Sequence, residues 1–159
     1  MKYLPLLLAI LLPACASRPS KPCPAPTAAI AGKHRVIRTT AYSHQEDGNR
    51  RNALNKRLSC GQTYSASADW SRYPAGTVFR LAENGRTYLV DDYGSALVGT
   101  DTIDLYVPSL REMNRWGVRQ VHIEVLQMGS FSESLATLRP RAKRGYVRRM
   151  VRDLESKVL

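Results

Sequence analysis

Short runs of β-branched and aromatic residues recur along the chain, and each is bounded by Gly, Asn, Asp or Pro. These runs predict strands at residues 36–41, 77–81, 87–90, 103–107 and 120–126. In the last run Val121, Ile123 and Val125 face one way and the polar residues between them face the other, which is the period of a half-buried strand. The core is therefore predicted to be mostly β.

One segment between these runs predicts a short helix. Residues 108–116 begin with Pro108, and Gly117 lies just past their end, an arrangement typical of helix boundaries. Several short strands with irregular loops and one helix favour a small barrel, because closure leaves no long exposed strand edge.

The C-terminal residues 139–159 carry eight Lys or Arg against Asp153 and Glu155. Five apolar residues in this stretch fall on one helical face: Val147, Met150, Val151, Leu154 and Val158. The pattern predicts an amphipathic helix. Two interpretations remain open: a helix docked on the domain, or one that binds a membrane surface or the cell wall.

The N-terminus predicts export. Lys2 precedes an apolar run at residues 3–12, which small residues follow. The run is shorter than the ~20 apolar residues that span a bilayer. The end of the run fits a lipobox, with Cys15 as the lipid-bearing residue, and it also fits ordinary cleavage after a small residue.

The predicted export signal also sets the domain organisation of the rest of the chain. We expect a signal at residues 1–16, a Pro- and Ala-rich tether at 17–33, one barrel domain at 34–128 and a basic extension at 129–159. The length leaves no room for a second domain, and we expect a monomer in the periplasm or at the outer membrane.

The formal net charge of +11 would favour nucleic acid as the partner of a cytosolic protein. An exported protein does not meet cytosolic nucleic acid, so peptidoglycan glycan strands in the cell envelope are the better candidate partner. Their stem peptides carry carboxylates, and lipid head groups carry phosphates. Membrane attachment is predicted only through the N-terminal lipid.

Cys23 and Cys60 could pair in an oxidising periplasm, although Cys23 lies in the tether. The His and Cys residues show none of the tight spacings of zinc sites. No metal and no cofactor are therefore predicted.

Six motifs, in order along the chain, resemble the "3D" domain, which is named for three aspartates. They are Thr40-Ala41-Tyr42, Asp69-Trp70-Ser71, Pro74-x-Gly76-Thr77, the segment 91–99, Ile103-Asp104-Leu105-Tyr106 and Trp116-Gly117. This domain is similar to the catalytic core of membrane-bound lytic transglycosylase A, and more distantly to rare lipoprotein A and the expansins. The resemblance implies a six-stranded double-psi β-barrel over roughly residues 36–128.

The resemblance also implies the site. It implies that Asp104 is the catalytic acid and base and that Asp92 lies beside it. The expected substrate-binding residues are Thr40, Tyr42, Gly94, Ser95 and Ala96. Asp69 is interpreted as structural, because it precedes a turn that it can cap.

Residue chemistry supports these roles independently. An Asp within an apolar strand is disfavoured, so Asp104 needs a reason to be there. Glycoside cleavage needs an acid at the leaving oxygen, and a nearby carboxylate raises the pKa of such an acid. Neighbours on a strand face opposite ways, so Asp91 and Asp92 should not share a site. For an isolated Asp-x-Gly, however, Asp92 would be a turn residue.

We therefore expect a lytic transglycosylase that acts in peptidoglycan turnover and leaves 1,6-anhydro ends. The alternative is a non-catalytic, expansin-like module that binds peptidoglycan. Ser95 in place of a frequent Gly, and an extra residue before Asp104, set the chain apart from the usual pattern. The resembling enzyme has a second domain over its glycan, so an open groove is expected here.

Overall fold

Six strands form a closed barrel in the computed structural model, which describes residues 33–158. The strands are β1 (Lys33–Tyr42), β2 (Thr63–Ser67), β3 (Val78–Leu81), β4 (Thr87–Asp92), β5 (Thr102–Tyr106) and β6 (Arg119–Gln127). Around the barrel the order is β1-β5-β2-β4-β3-β6, and β6 pairs with β1 to close it. The predicted six-stranded, mainly β barrel is confirmed.

The barrel mixes parallel and antiparallel pairs. β1 runs parallel to β5 and β2 runs parallel to β4, whereas the other four pairs are antiparallel. Both parallel pairs join strands that are distant in the sequence. Because β2 is antiparallel to β5, the two parallel pairs run in opposite directions, and the candidate site lies on the neighbouring strands β1, β5, β2 and β4.

The core fills the barrel and continues under the C-terminal helices. In β6, Val121, Ile123 and Val125 are buried, as their alternation predicts. The largest fully buried side chains of this single cluster are Trp70, Tyr73, Tyr88, Phe79, Ile37, Leu81, Ile103, Leu105, Ile123, Leu138, Met150 and Leu154. The alternating pattern of the strands therefore identified the inward-facing residues correctly.

The helices are α1 (Leu110–Trp116), α2 (Phe131–Leu138) and α3 (Gly145–Val158), with a short 3-10 helix at Arg139–Arg141. The predicted start of α1 was wrong by two residues. Ser109 is the N-cap, since its hydroxyl accepts a hydrogen bond from the Glu112 N–H at 3.2 Å, and Pro108 lies before it. Gly117 ends the helix with a positive φ of 61°.

Two elements were missed. The strand β2 is built of Thr, Tyr, Ser and Ala, and its short side chains give little hydrophobic signal. The helix α2 begins at the N-cap Ser130, whose hydroxyl accepts from the Glu133 N–H at 3.1 Å, and this capping pattern was a usable signal.

The basic C-terminal helix is docked. Val147, Met150 and Leu154 of α3 are fully buried, and α3 packs against α2. Only Val158, at the end of the predicted apolar face, is 41% exposed. The apolar face is thus covered by the protein itself, so a helix that binds a membrane surface through this face loses the surface that it needs.

The predicted signal, the lipidation residue Cys15 and Cys23 lie outside the described residues. The same holds for the tether at 17–33, except Lys33, with which β1 begins. Among residues 33–158, no helix combines the length and the apolar character required to cross a membrane.

Candidate functional site

An open groove of about 600 Å³ is lined by residues of β1, β2, β4 and β5. All seven residues expected to act on substrate line it: Thr40, Tyr42, Asp92, Gly94, Ser95, Ala96 and Asp104. The loop after β1 and the loop after β4 form its two walls. Residues that are up to 64 positions apart in the chain thus meet in one place.

The two aspartates meet because both are register partners of Ser67. In β2, Ser67 lies opposite Asp104 of β5 on one side and opposite Asp92 of β4 on the other. Their Cα atoms are therefore two strand spacings apart, roughly 10 Å. At that separation two side chains that lean toward each other can act on the same ligand.

A register shift decides which of two neighbouring aspartates enters the groove. Ala66 pairs with Val90, but the next residue, Ser67, pairs with Asp92, so Asp91 has no partner on β2. Such a bulge re-aims the side chains that follow it. As a result Asp92 lines the groove, whereas Asp91 is only 5% exposed and does not.

Asp104 is part-buried and held by one hydroxyl. Thr40 Oγ1 donates to Asp104 Oδ1 at 2.6 Å, while Oδ2 has no hydrogen-bond partner among residues 33–158. Burial raises the pKa of Asp104, the negative charge of Glu46 raises it further, and the Thr40 hydroxyl opposes both. The unpartnered oxygen is the one available to a substrate.

Asp92 is held by two backbone N–H groups. Its Oδ1 accepts from Ala53 at 3.1 Å and from Tyr93 at 2.9 Å. Burial, as the main cause, raises the pKa of Asp92 to about 6, and the charges of Asp91 and Asp104 add to the rise against these two hydrogen bonds. Asp92 therefore gains a proton well above the pH at which an ordinary carboxyl does.

This electrostatic arrangement differs from the expected one. We expected Asp92 to supply the charge that raises the pKa of Asp104, but Glu46 is the charge that does so, and Asp92 is itself strongly raised. The charge of Asp104 contributes least to the rise in the pKa of Asp92, and burial raises both groups most. An acid and a carboxylate side by side are what general acid–base chemistry requires.

Asp91 belongs to a buried network behind the groove. Its Oδ2 accepts from Ser65 Oγ at 2.7 Å and from Asn52 Nδ2 at 2.8 Å, and burial raises its pKa. The Oδ1 of Asn52 accepts from the N–H groups of Leu54 and Lys56, which folds this loop back on itself. The network places the Ala53 N–H against Asp92, a role that no sequence pattern indicated.

Asp69 lies outside the groove and ties two loops together. One oxygen accepts from the N–H and the hydroxyl of Ser71, at 2.9 and 2.7 Å, and the other accepts from the Gly99 N–H at 2.7 Å. Gly99 has a φ of +82° and leads toward β5. Asp69 thereby fixes the backbone that precedes Asp104.

The remaining groove residues differ in exposure. The hydroxyl of Tyr42 is buried without a hydrogen-bond partner among the described residues, and burial raises its pKa. Ser95 and Ala96 are exposed at the rim, in a turn anchored by the buried Leu97. The rim residues are therefore accessible to a ligand, whereas the Tyr42 hydroxyl is not.

His44 and Glu46, in the loop that follows β1, also line the groove. His44 Nδ1 lies 2.7 Å from the Tyr106 hydroxyl, and Glu46 accepts from the Ser43 N–H at 3.1 Å. In the sequence, only their position just after the Thr-Ala-Tyr motif indicated that they could lie in the groove.

Within residues 33–158, His, Cys, Asp and Glu side chains form no group of three or more that could hold a metal ion. Cys60 is exposed. Its possible disulfide partner, Cys23, is not among the described residues, so the disulfide stays a prediction.

Comparison with known proteins agrees with the motif order. Residues 64–127 match the family model of the 3D domain, and this range contains Asp69, Asp92 and Asp104 but not the motif of β1. A search of curated proteins finds no match to this chain. The 3D domain occurs in lytic transglycosylase-like and expansin-like proteins. The chain is therefore a 3D-domain protein, with that domain at residues 64–127.

Proposed function

We propose that this protein is a lytic transglycosylase of the bacterial cell envelope, which cleaves the MurNAc–GlcNAc bond of peptidoglycan during wall turnover. The observation that carries the proposal is the pair of carboxyl groups, Asp92 and Asp104, in one open groove with raised pKa values. The groove has room for sugars. We further propose that export places the protein in the periplasm or at the outer membrane.

In the proposed reaction Asp104 acts twice. It first gives its proton to the glycosidic oxygen, the C1–O bond breaks, and the sugar develops oxocarbenium character. The 6-hydroxyl of the same sugar then bonds to C1, and the Asp104 carboxylate takes the hydroxyl proton. The products are a free 4-hydroxyl and a 1,6-anhydro end, and no water is consumed.

Asp92 and Thr40 complete the machinery. While Asp92 is ionised, its negative charge stabilises the positively charged transition state. Thr40 fixes one oxygen of Asp104, which leaves Oδ2 to face the substrate. Burial raises the pKa of Asp104, so its protonated form is more abundant, and cleavage is expected to be faster, in mildly acidic than in alkaline buffer.

The alternative is a non-catalytic module that binds peptidoglycan. The short hydrogen bond from Thr40 favours it, because it stabilises ionised Asp104, and a carboxylate is a good acceptor for sugar hydroxyls. In that case the wild-type protein would bind sacculi without releasing fragments.

The test is digestion of purified sacculi, followed by mass spectrometry of the released fragments. We expect 1,6-anhydro ends from the wild-type protein and a loss of about 10²-fold or more in Asp104→Asn, the scale of general acid catalysis. Asp153→Asn, on α3, is the matched control and should cleave normally. Ordinary reducing ends would instead indicate a hydrolase, and binding without any cleavage would support the alternative.

A further inference from the structure

A second groove, of about 740 Å³, adjoins the first. The two share five lining residues: Asp47, Asn49, Arg51, Asp92 and Tyr93. The far wall of the second groove is formed by residues 141–147, which belong to the C-terminal extension and lie beyond the matched 3D domain. A ligand bound at Asp92 can therefore extend into this space without leaving the protein surface.

Four cations line this second groove, namely Arg51, Arg141, Lys143 and Arg144. We call these four residues the basic arm. The carboxylates in the same lining are Asp47 and Asp92. None of the four cations forms an ion pair with another described residue. The arm thus carries positive charge that the described part of the fold does not neutralise.

Part of the basic arm is fixed in place. Arg51 and Arg141 donate to the carbonyl oxygens of Asn55 and Ala53, both at 2.7 Å. Because the Ala53 N–H in turn bonds to Asp92, Arg141 is linked to the groove carboxyl through one residue. The docked helix α3 holds this wall against the barrel.

Lys143 and Arg144 are the free members of the arm. Both are exposed, and the only hydrogen bond of an Arg144 side-chain nitrogen within residues 33–158 is to the Tyr146 hydroxyl at 3.4 Å. Their remaining donors point to no protein acceptor in this range. Such donors suit a flexible anionic ligand, since charge-assisted hydrogen bonds to carboxylates are the strong ones.

We propose that the basic arm binds the carboxylates of the peptidoglycan stem peptide. The inference rests on the proposed function. The stem peptide branches from the lactyl group of MurNAc, the sugar whose bond would be cut at Asp104. A strand placed there projects its peptide into the neighbouring space, and that space is the basic arm. Glycan without peptides keeps only the lactyl carboxylate, which lies close to the sugar ring, whereas the stem peptide carries further carboxylates out to these residues. The arm therefore favours strands that still carry peptides.

The test compares two soluble probes: uncross-linked glycan strands with stem peptides, and the same strands after an amidase has removed the peptides. Binding is measured by fluorescence anisotropy with Asp104→Asn as the parent protein, which prevents cleavage. The test variant adds Lys143→Gln and Arg144→Gln. Arg141 is left unchanged because it anchors Ala53.

The matched control adds Arg111→Gln and Arg152→Gln, two exposed cations that line neither groove and cause the same change in charge. We expect the test variant to bind peptide-bearing strands about fivefold more weakly, from two exposed ion pairs. Its affinity for stripped strands should be unchanged, and the control should bind both probes normally. In 1 M salt, where the Debye length is about 3 Å, the difference should disappear.

An equal loss on both probes, or an equal loss in the control, would overturn the inference. Anionic phosphatidylglycerol vesicles test the other source of negative charge: a loss confined to vesicles would assign the arm to lipid head groups and reject the peptide. The two proposals fail separately. Peptide-dependent binding in a protein that never cleaves would reject only the enzyme, and cleavage with unaltered binding in the test variant would reject only the arm.

Discussion

The raised pKa of Asp92 predicts that the protein is less stable with this carboxylate than without it. Asp92→Asn is the perturbation. Asn retains a side-chain oxygen that can accept from the Ala53 and Tyr93 N–H groups, which both bond to Asp92 Oδ1 in the wild-type protein. The substitution therefore removes the charge while keeping the hydrogen bonds and the shape, and its effect reports the cost of burying the charge.

The magnitude follows from the pKa. A rise from 3.8 to about 6 corresponds to about 3 kcal/mol at 1.36 kcal/mol per pH unit. The partial exposure of Asp92 reduces this to about 1–2 kcal/mol of added stability for Asp92→Asn at neutral pH. The sign follows from linkage, because the folded state binds the proton more tightly than the unfolded chain. The gain is therefore full above about pH 6, shrinks as the pH falls toward 3.8, and is at most about 0.5 kcal/mol near pH 4.

The assay is urea unfolding of both proteins near pH 7.5 and near pH 4, with free energies taken from linear extrapolation. Asp153→Asn serves as the control and should change stability by less than about 0.5 kcal/mol at either pH. A variant that is no more stable than wild type near pH 7.5 would refute the reasoning. So would a gain of the same size at both pH values, because a buried charge must lose its effect once it is protonated.

Three further predictions concern the supports of the groove. Thr40→Val removes the hydroxyl that stabilises ionised Asp104, so the pKa of Asp104 rises further and the fall of the cleavage rate with pH should move to higher pH. Thr40→Ser should restore the wild-type pH profile, and an unchanged profile in Thr40→Val would contradict this role. Asn52→Ala removes a donor from buried Asp91 and should cost about 1–3 kcal/mol in urea unfolding; a loss below about 0.5 kcal/mol would show that the network is dispensable. Met150→Ala should cost about 2–5 kcal/mol if α3 is docked, and a neutral result would speak against docking.

Local patterns predicted those features of the fold that depend on local chemistry. The alternation in β6 identified Val121, Ile123 and Val125 as inward-facing, and Gly117 marked the end of α1. The sequence pattern did not predict strand β2, because its small polar residues occur in loops as readily as in barrel strands. Its absence from the predicted set hid the strand that joins the two groove aspartates.

In the candidate site, too, some residues could be identified from sequence and others only from the structure. Asp104 could be singled out from sequence, because an acid between Ile103 and Leu105 conflicts with strand propensity and so indicates a function. The choice of Asp92 over Asp91 needed the family resemblance. In the structure, the entry of Asp92 rather than Asp91 into the groove follows from the bulge opposite Ser67. No local sequence pattern predicts this bulge.

The sequence by itself determined the alternating strands, the apolar face of the C-terminal helix and the motif order that indicates a 3D domain, since each of these is written in neighbouring residues. Only the tertiary structure decided that Ser67 lies between Asp92 and Asp104, and that the C-terminal cations stand beside the groove. The physical reason is that alternation fixes which face of a strand is buried but not which strand lies next to it. Pairing and docking depend on how the whole core packs, and that packing gave the two carboxyl groups their shared environment.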